Sequence, residues 1–184
     1  LGKTIFSISI LLILIFSKYI YMASLNSYYT FYLIHKFGVS VQASQICLFV
    51  FLIATAMGTL AGGPIGDKIG RKYVIWGSIL GAAPFSLLMP HVGFAWTIVL
   101  SFSVGLVFSS AFPAILLVVQ EVLAYKLGLI SGLFFGFAFG VAGIASAVLG
   151  NMADHYGIEA VYNVCGFMPL LGLVTWFLPN LKKK

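Results

Sequence analysis

Gly63-Pro64-Ile65-Gly66-Asp67-Lys68-Ile69-Gly70-Arg71-Lys72 crowds four charges into its last six residues, in a chain otherwise poor in charge. Long apolar runs flank it, 46–61 before and 73–90 after. Glycine accepts backbone angles that other residues resist, so Gly63, Gly66 and Gly70 predict a sharp turn. The stretch therefore reads as a very short polar hairpin between two membrane-crossing helices. Its lysines and arginine would form a positive cluster at the membrane surface.

The pattern occurs twice. Gly150-Asn-Met-Ala-Asp154-His-Tyr-Gly157 repeats the Gly, Asp and Gly spacing of Gly63, Asp67 and Gly70, offset by 87 residues (150 − 63). Ile158 and Glu159 stand where the first copy has Arg71 and Lys72. A repeat of this length in a membrane protein predicts a repeated bundle of helices. We expect six helices in two inverted triplets, the first over about 5–90 and the second over about 93–178.

Composition sets the solvent. Of 184 residues, 61% are hydrophobic and 8% charged, with mean hydropathy +1.11. Soluble domains carry roughly 25% charged residues. So much apolar surface cannot be hidden in one small core, and a lipid bilayer is the expected partner. The net charge of +6 sits mostly at helix ends, without the basic tract that nucleic acid requires. Cys47 and Cys165 fall inside apolar runs and read as packing residues. No Cys/His cluster suggests a metal, and no cofactor is expected. The chain begins at Leu1, which suggests a piece of a longer protein.

Taken in order, the first helix is expected over 5–34, followed by a loop at His35–Ser40 and a second helix over 41–63. The third covers 73–90 with a kink at Pro84, and His91–Gly93 is a tight turn. A fourth covers 94–122, bent at Pro113. A fifth covers 127–149, and a sixth 159–178, before Pro179 and Lys182–Lys184. Small residues recur every fourth position at Ala54, Gly58 and Gly62, and again at Gly128, Gly132, Gly136 and Gly140. Both series predict close helix packing.

The first helix is the most polar at its centre. Lys18, Tyr21, Leu25, Tyr28, Tyr29 and Tyr32 share one stripe by spacing. A lysine at membrane depth costs about 2.5–3.5 kcal/mol and normally faces water, a partner or a ligand. The alternative is that Lys18 snorkels to the surface and the tyrosines form an interfacial belt. On the fourth helix Gly105, Ser109, Pro113 and Gln120 also share a stripe. No nucleophile has a placed base, so no enzyme is expected. His35, His91 and His155 read as loop residues, and no acid lies within a predicted span.

Orientation follows from counting charge. If the 63–72 turn is cytoplasmic, that side holds Lys3, Lys68, Arg71, Lys72, Lys126, Lys182, Lys183 and Lys184, against Lys36 alone outside. Both termini of this segment would then be cytoplasmic, in the inner membrane of the cell, by the positive-inside rule.

The Gly-x-x-x-Asp-x-x-Gly-Arg-Lys pattern of residues 63–72, lying between two apolar helices, resembles the signature loop of the major facilitator superfamily of transporters. Residues 30–44, 77–88 and 130–150 resemble its fosmidomycin-resistance branch, and the likeness runs from about Ser24 to Pro179. The resemblance implies the C-terminal six-helix half of a twelve-helix transporter, with an N-terminal half as partner. It implies that the loop is a conformational latch, with Asp67 at a helix N-terminus and Arg71 pairing with Glu121. It also implies a substrate cavity lined by the first and fourth helices: Lys18, Tyr21, Tyr28, Tyr29, Ser109, Pro113 and Gln120. Lys18 beside phenolic donors would suit an anionic drug, exported by a proton antiporter whose titrating group lies outside this chain. Many relatives carry arginine at the Lys68 position. A metabolite transporter of the same fold and a truncated, non-transporting membrane module stay open as alternatives.

Overall fold

A computed structural model of the chain describes residues 2–122 and 127–171. Those residues form helices α1 (Gly2–Phe37), α2 (Val41–Ile69), α3 (Arg71–Leu88), α4 (Phe94–Ser109), α5 (Ala111–Val122), α6 (Leu127–Tyr156) and α7 (Ile158–Cys165), with a 3₁₀ turn at Met89–His91. The described residues contain no strand. In lipid only a helix satisfies every backbone polar group within one segment, which is why the apolar runs take this form. Val41–Ile69, Arg71–His91, Phe94–Val118 and Ser131–Tyr156 are each long and apolar enough to cross a membrane. The 36 residues of α1 reach about 54 Å at 1.5 Å per residue, well beyond a hydrocarbon core of about 30 Å.

The expected hairpin is far tighter than its glycines suggested. α2 runs unbroken through Gly63, Pro64, Gly66 and Asp67, and α3 begins at Arg71. Gly70 alone makes the turn, at φ +100°. The second copy behaves alike: Gly150 and Asp154 lie inside α6, and Gly157 alone turns, at φ +84°. Breaking a helix earlier would strand backbone groups near lipid, so glycines within the last turns stay helical. The fifth predicted helix accordingly extends from 149 to Tyr156.

Pro113 bends its helix as expected, but the break lies three residues upstream. Proline has no N–H, so the Ser109 carbonyl loses its helical donor. α4 ends at Ser109, Ser110 is a turn, and Pro113 sits in the first turn of α5, where proline is tolerated. α7 ends at Cys165, earlier than expected, and is followed by a turn and a short 3₁₀ stretch. Residues 172–178 of the sixth predicted helix, Lys126 and Lys182–Lys184 lie outside the described residues.

Packing is reciprocal between the triplets. α2 crosses α4, and α1 crosses α6, more extensively than any other pairs. Gly58 and Gly62 permit the first crossing: a Cβ on Gly58 would collide with the Leu106 carbonyl, and one on Gly62 with that of Ser110. From the other side Gly105 lies against Phe51, whose carbonyl oxygen would be 3.0 Å from an added Cβ. The second glycine series does not pack here. A Cβ on Gly128, Gly132, Gly136 or Gly140 would meet nothing within 4 Å, because this face of α6 turns away from the other described helices. The core between α1, α3 and α7 holds polar groups that are buried and hydrogen-bonded. Tyr162 stacks on Tyr32 with ring centroids 4.0 Å apart and donates to the Ser24 carbonyl at 3.2 Å. Ser86 donates to the Gly166 carbonyl at 2.9 Å.

Candidate functional site

A cavity of about 570 Å³ opens between α1, α2, α5 and α6, within the roughly 300–1,000 Å³ typical of small-molecule sites. Its depth follows from the helix lengths. Lys18 stands 16 residues after the start of α1 and 19 before its end. Thr55 has 14 residues of α2 on either side. Ala142 has 15 residues of α6 before it and 14 after. Ser109 lies at the α4–α5 break. All four line the cavity, so it sits at the middle of the bundle.

Lys18 dominates the wall. It is 4% exposed, and its Nζ has no hydrogen-bond partner among the described residues. Two rings hold it by their faces: Nζ is 5.4 Å from the Phe112 centroid and 5.8 Å from that of Phe108. Ser109 Oγ is likewise buried and unpartnered. Lys18 and Ser109 thus both border the cavity, while Lys18 Nζ and Ser109 Oγ lie buried just behind its surface with their hydrogen-bonding capacity unspent. The surrounding wall is aromatic. Tyr19, Phe112, Phe135 and Phe139 make a closed circuit of ring contacts, with centroids 5.5–6.4 Å apart. This arrangement sets a buried amine and a buried hydroxyl behind a flat apolar surface.

The remaining expected cavity residues disperse. Tyr21 faces the interior, edge-on to Phe108 at 5.6 Å, and does not line the cavity. Tyr29 is fully buried and shares a 2.7 Å hydrogen bond with Ser101. Their stripe points into the core, while the cavity takes the adjoining stripe of Lys18, Tyr19, Met22, Ala23, Asn26 and Ser27. Tyr28 lies toward α6, its hydroxyl donating to the Ser146 carbonyl at 2.7 Å. Pro113 shapes the α4–α5 break without lining the cavity. Gln120 Nε2 donates to Ser131 Oγ at 2.8 Å, tying α5 to α6. The sequence reading missed Tyr19, Asn26, Ser27, Thr55, Thr59, Phe112 and Ser146, all on the cavity wall. Only the polar residues at mid-helix, Thr55 above all, carried a signal that could have found them.

At the charged turn, Arg71 Nη2 lies 3.5 Å from Asp67 Oδ1, one helical turn away across Gly70. Lys68 lies exposed in the last turn of α2, and Lys72, at the start of α3, is partly buried. The Glu121 side chain, expected as the partner of Arg71, lies outside the described side chains. Among the described residues no group of His, Cys, Asp and Glu could hold a metal ion.

Comparison with known proteins agrees with this architecture. The sequence profile of the Major Facilitator Superfamily matches residues 11–184. The chain is 60% identical over 183 residues to the fosmidomycin resistance protein of Escherichia coli (strain K12), covering 100% of this chain and 45% of that protein. It is 36% identical over 160 residues to an uncharacterized MFS-type transporter of Bacillus subtilis (strain 168), covering 87% of this chain and 39% of the relative. A 4-hydroxybenzoate transporter of Pseudomonas putida is 31% identical over 123 residues, 65% of this chain and 27% of its own length. The chain thus spans less than half the length of each of these relatives. No solved structure matches.

Proposed function

The chain belongs to the major facilitator superfamily of transporters, and on that premise we propose that it is the C-terminal half of an exporter of small organic anions such as fosmidomycin. The cargo site is the midplane cavity, as family transporters built of inverted repeats bind near the bilayer centre. The observation that carries this reading is the buried Lys18 ammonium without a hydrogen-bond partner. A charge held there at a cost of about 2.5–3.5 kcal/mol is a binding group waiting for a counter-ion. An anion entering the cavity would take a charge-assisted hydrogen bond from Lys18 and a second from Ser109. The ring circuit of Tyr19, Phe112, Phe135 and Phe139 would cover its apolar part.

The N-terminal half closes the open side of this cavity and supplies the proton-carrying group. Asp67, Asp154, His35, His91, His155 and Glu159 all stand at helix ends or turns, so the described residues of this half place no carboxylate or histidine at the depth of Lys18. The Asp67–Arg71 turn faces the cytoplasm and acts as a latch that forms when that side closes. The 184-residue chain alone is expected not to move cargo, and measurable efflux by the purified chain in vesicles would refute this.

The test uses the complete transporter in cells. Lys18→Ala removes resistance to fosmidomycin while leaving export of a neutral drug intact, at equal membrane expression. Equal loss for both compounds would sink the cavity assignment. A second reading, uptake of an organic-acid metabolite, is favoured by the likeness to the 4-hydroxybenzoate transporter of Pseudomonas putida. It predicts Lys18-dependent entry of the acid into cells that show no fosmidomycin resistance.

A further inference from the structure

A second cavity, of about 510 Å³, lies between the ends of α1 and α6 and is lined by Tyr28, His35, Gly150, Asp154 and Gly157 among others. It opens on the face opposite the Gly70 turn. α1 ends there at Phe37, and α2 begins there at Val41 before crossing to Gly70. It follows the midplane cavity along α1 and α6 toward that face and forms a vestibule there. Ser27 and Ser146 belong to the midplane cavity, whereas their neighbours Tyr28 and Gly150 belong to the vestibule.

Tyr28 stands where the two cavities meet. Its hydroxyl donates to the Ser146 carbonyl at 2.7 Å, and beside it Ser146 Oγ donates to Ser27 Oγ at 3.1 Å. Gly150, one helical turn beyond Ser146, leaves the space that the phenol occupies: a Cβ there would lie 2.6 Å from Tyr28 Oη. The corresponding glycine of the first motif copy, Gly63, has nothing within 4 Å of such a Cβ. The seat on Gly150 is therefore peculiar to this end of the bundle. Tyr21, Tyr29 and Tyr32 on the same helix are wholly buried, but Tyr28 is only partly so and borders open space.

We infer that Tyr28 is the gate between the midplane cavity and the vestibule, closed when seated on Gly150 and Ser146 and open when its ring swings away. The inference rests on the midplane cavity being the cargo site. A tyrosine suits the task. Its ring fills the passage, and a single neutral hydrogen bond contributes little net stability, so the transport cycle can break it. The Ser146 carbonyl keeps its helical donor, the Gly150 N–H, when the phenol leaves. The freed hydroxyl turns to vestibule water. Opening thus strands no buried polar group.

The test reads access rather than cargo. Thr55 lines the midplane cavity away from Tyr28, so Thr55→Cys in the complete transporter, with native cysteines replaced, reports entry of a membrane-impermeant thiol reagent. Reagent added from the vestibule side is expected to label Thr55→Cys at least about tenfold faster in Tyr28→Ala, as a shift of about 1.4 kcal/mol toward the open state would give. Gly150→Ala, which pushes the phenol off its seat, raises the rate in the same direction. Tyr28→Phe, which keeps the ring, gives a smaller rise. Labelling at the parental rate in both Tyr28→Ala and Gly150→Ala overturns the gate. So does an equal acceleration from both sides of the membrane, which reports a loosened bundle. Neither result depends on Lys18, so a failed gate leaves the cargo site standing, and a failed cargo site leaves the labelling result readable.

Discussion

Gly70 and Gly157 stand 87 residues apart (157 − 70) and end their helices in the same way, each with positive φ and an N–H bonded to the carbonyl four residues back, Gly66 at 3.0 Å and Ala153 at 2.9 Å. Their φ/ψ pairs, +100°/132° and +84°/158°, lie in or beside a region that is essentially glycine's alone. The two motif copies are thus two versions of one helix–glycine–helix corner, at opposite faces of the bundle.

Alanine at either corner carries backbone strain of about 1–3 kcal/mol. Gly70→Ala and Gly157→Ala are expected to lower the thermal inactivation temperature of the purified complete transporter. Gly63→Ala, inside α2 with nothing within 4 Å of the new Cβ, is expected to leave it unchanged or raise it, since alanine is favoured over glycine in a helix by about 1 kcal/mol. A Gly63→Ala loss as large as that of Gly70→Ala would restore the hairpin that the sequence suggested.

The same contrast separates packing from mere tolerance of glycine. Gly58→Ala sets a methyl group into the Leu106 backbone, so α2 and α4 must move apart. Gly77→Ala in α3 meets nothing within 4 Å. Expression in folded form, read by detergent size-exclusion chromatography, is expected to collapse for Gly58→Ala and hold for Gly77→Ala. Equal behaviour would mean that the α2–α4 crossing is looser than described.

These contrasts mark what was legible in the sequence. The apolar runs and positive-residue placement announce a helical membrane bundle because lipid permits little else. The Ala54/Gly58/Gly62 series could be read because a four-residue period falls on one helix face. The Gly132/Gly136/Gly140 series has the same period, yet period alone does not say which face meets a neighbour. Turn glycines were over-read for a related reason. Gly63 and Gly66 look like turn formers, but membrane-end backbone keeps its hydrogen bonds, and the corner falls on the last glycine alone. At the site, Lys18 was visible from the cost of a charge in lipid. Tyr21 and Tyr29 misled because spacing gave the stripe and not its direction. Thr55 and Thr59 on α2 and Ser146 on α6 stand out only as polar residues at mid-helix, and they become a wall when those two helices meet α1.

The Asp67–Arg71 pair separates a latch from a surface ornament. Asp67 is 60% exposed, though Arg71 is only 18% exposed, and at 3.5 Å a pair with its carboxylate in solvent contributes about 1 kcal/mol. Asp67→Asn is therefore expected to leave thermal stability and membrane insertion nearly unchanged while transport falls sharply. Normal transport by this variant would reduce the turn to a topology anchor.

Lys18 invites the opposite experiment, a substitution that stabilises while it disables. Its ammonium is buried without a hydrogen-bond partner, and a lysine at membrane depth costs about 2.5–3.5 kcal/mol. Methionine keeps much of the side chain's length and its packing on Phe112 but removes the charge. If Lys18 is kept for cargo, Lys18→Met is expected to raise the thermal inactivation temperature of the complete transporter and abolish anion export together. Adding the anionic cargo to the parent protein should recover part of the stability that the charge costs, because a ligand bound only by the folded state stabilises it. The same addition should do nothing for Lys18→Met. A drop in stability for Lys18→Met would assign the ammonium a structural partner instead, and the cavity would lose its claim on the anion.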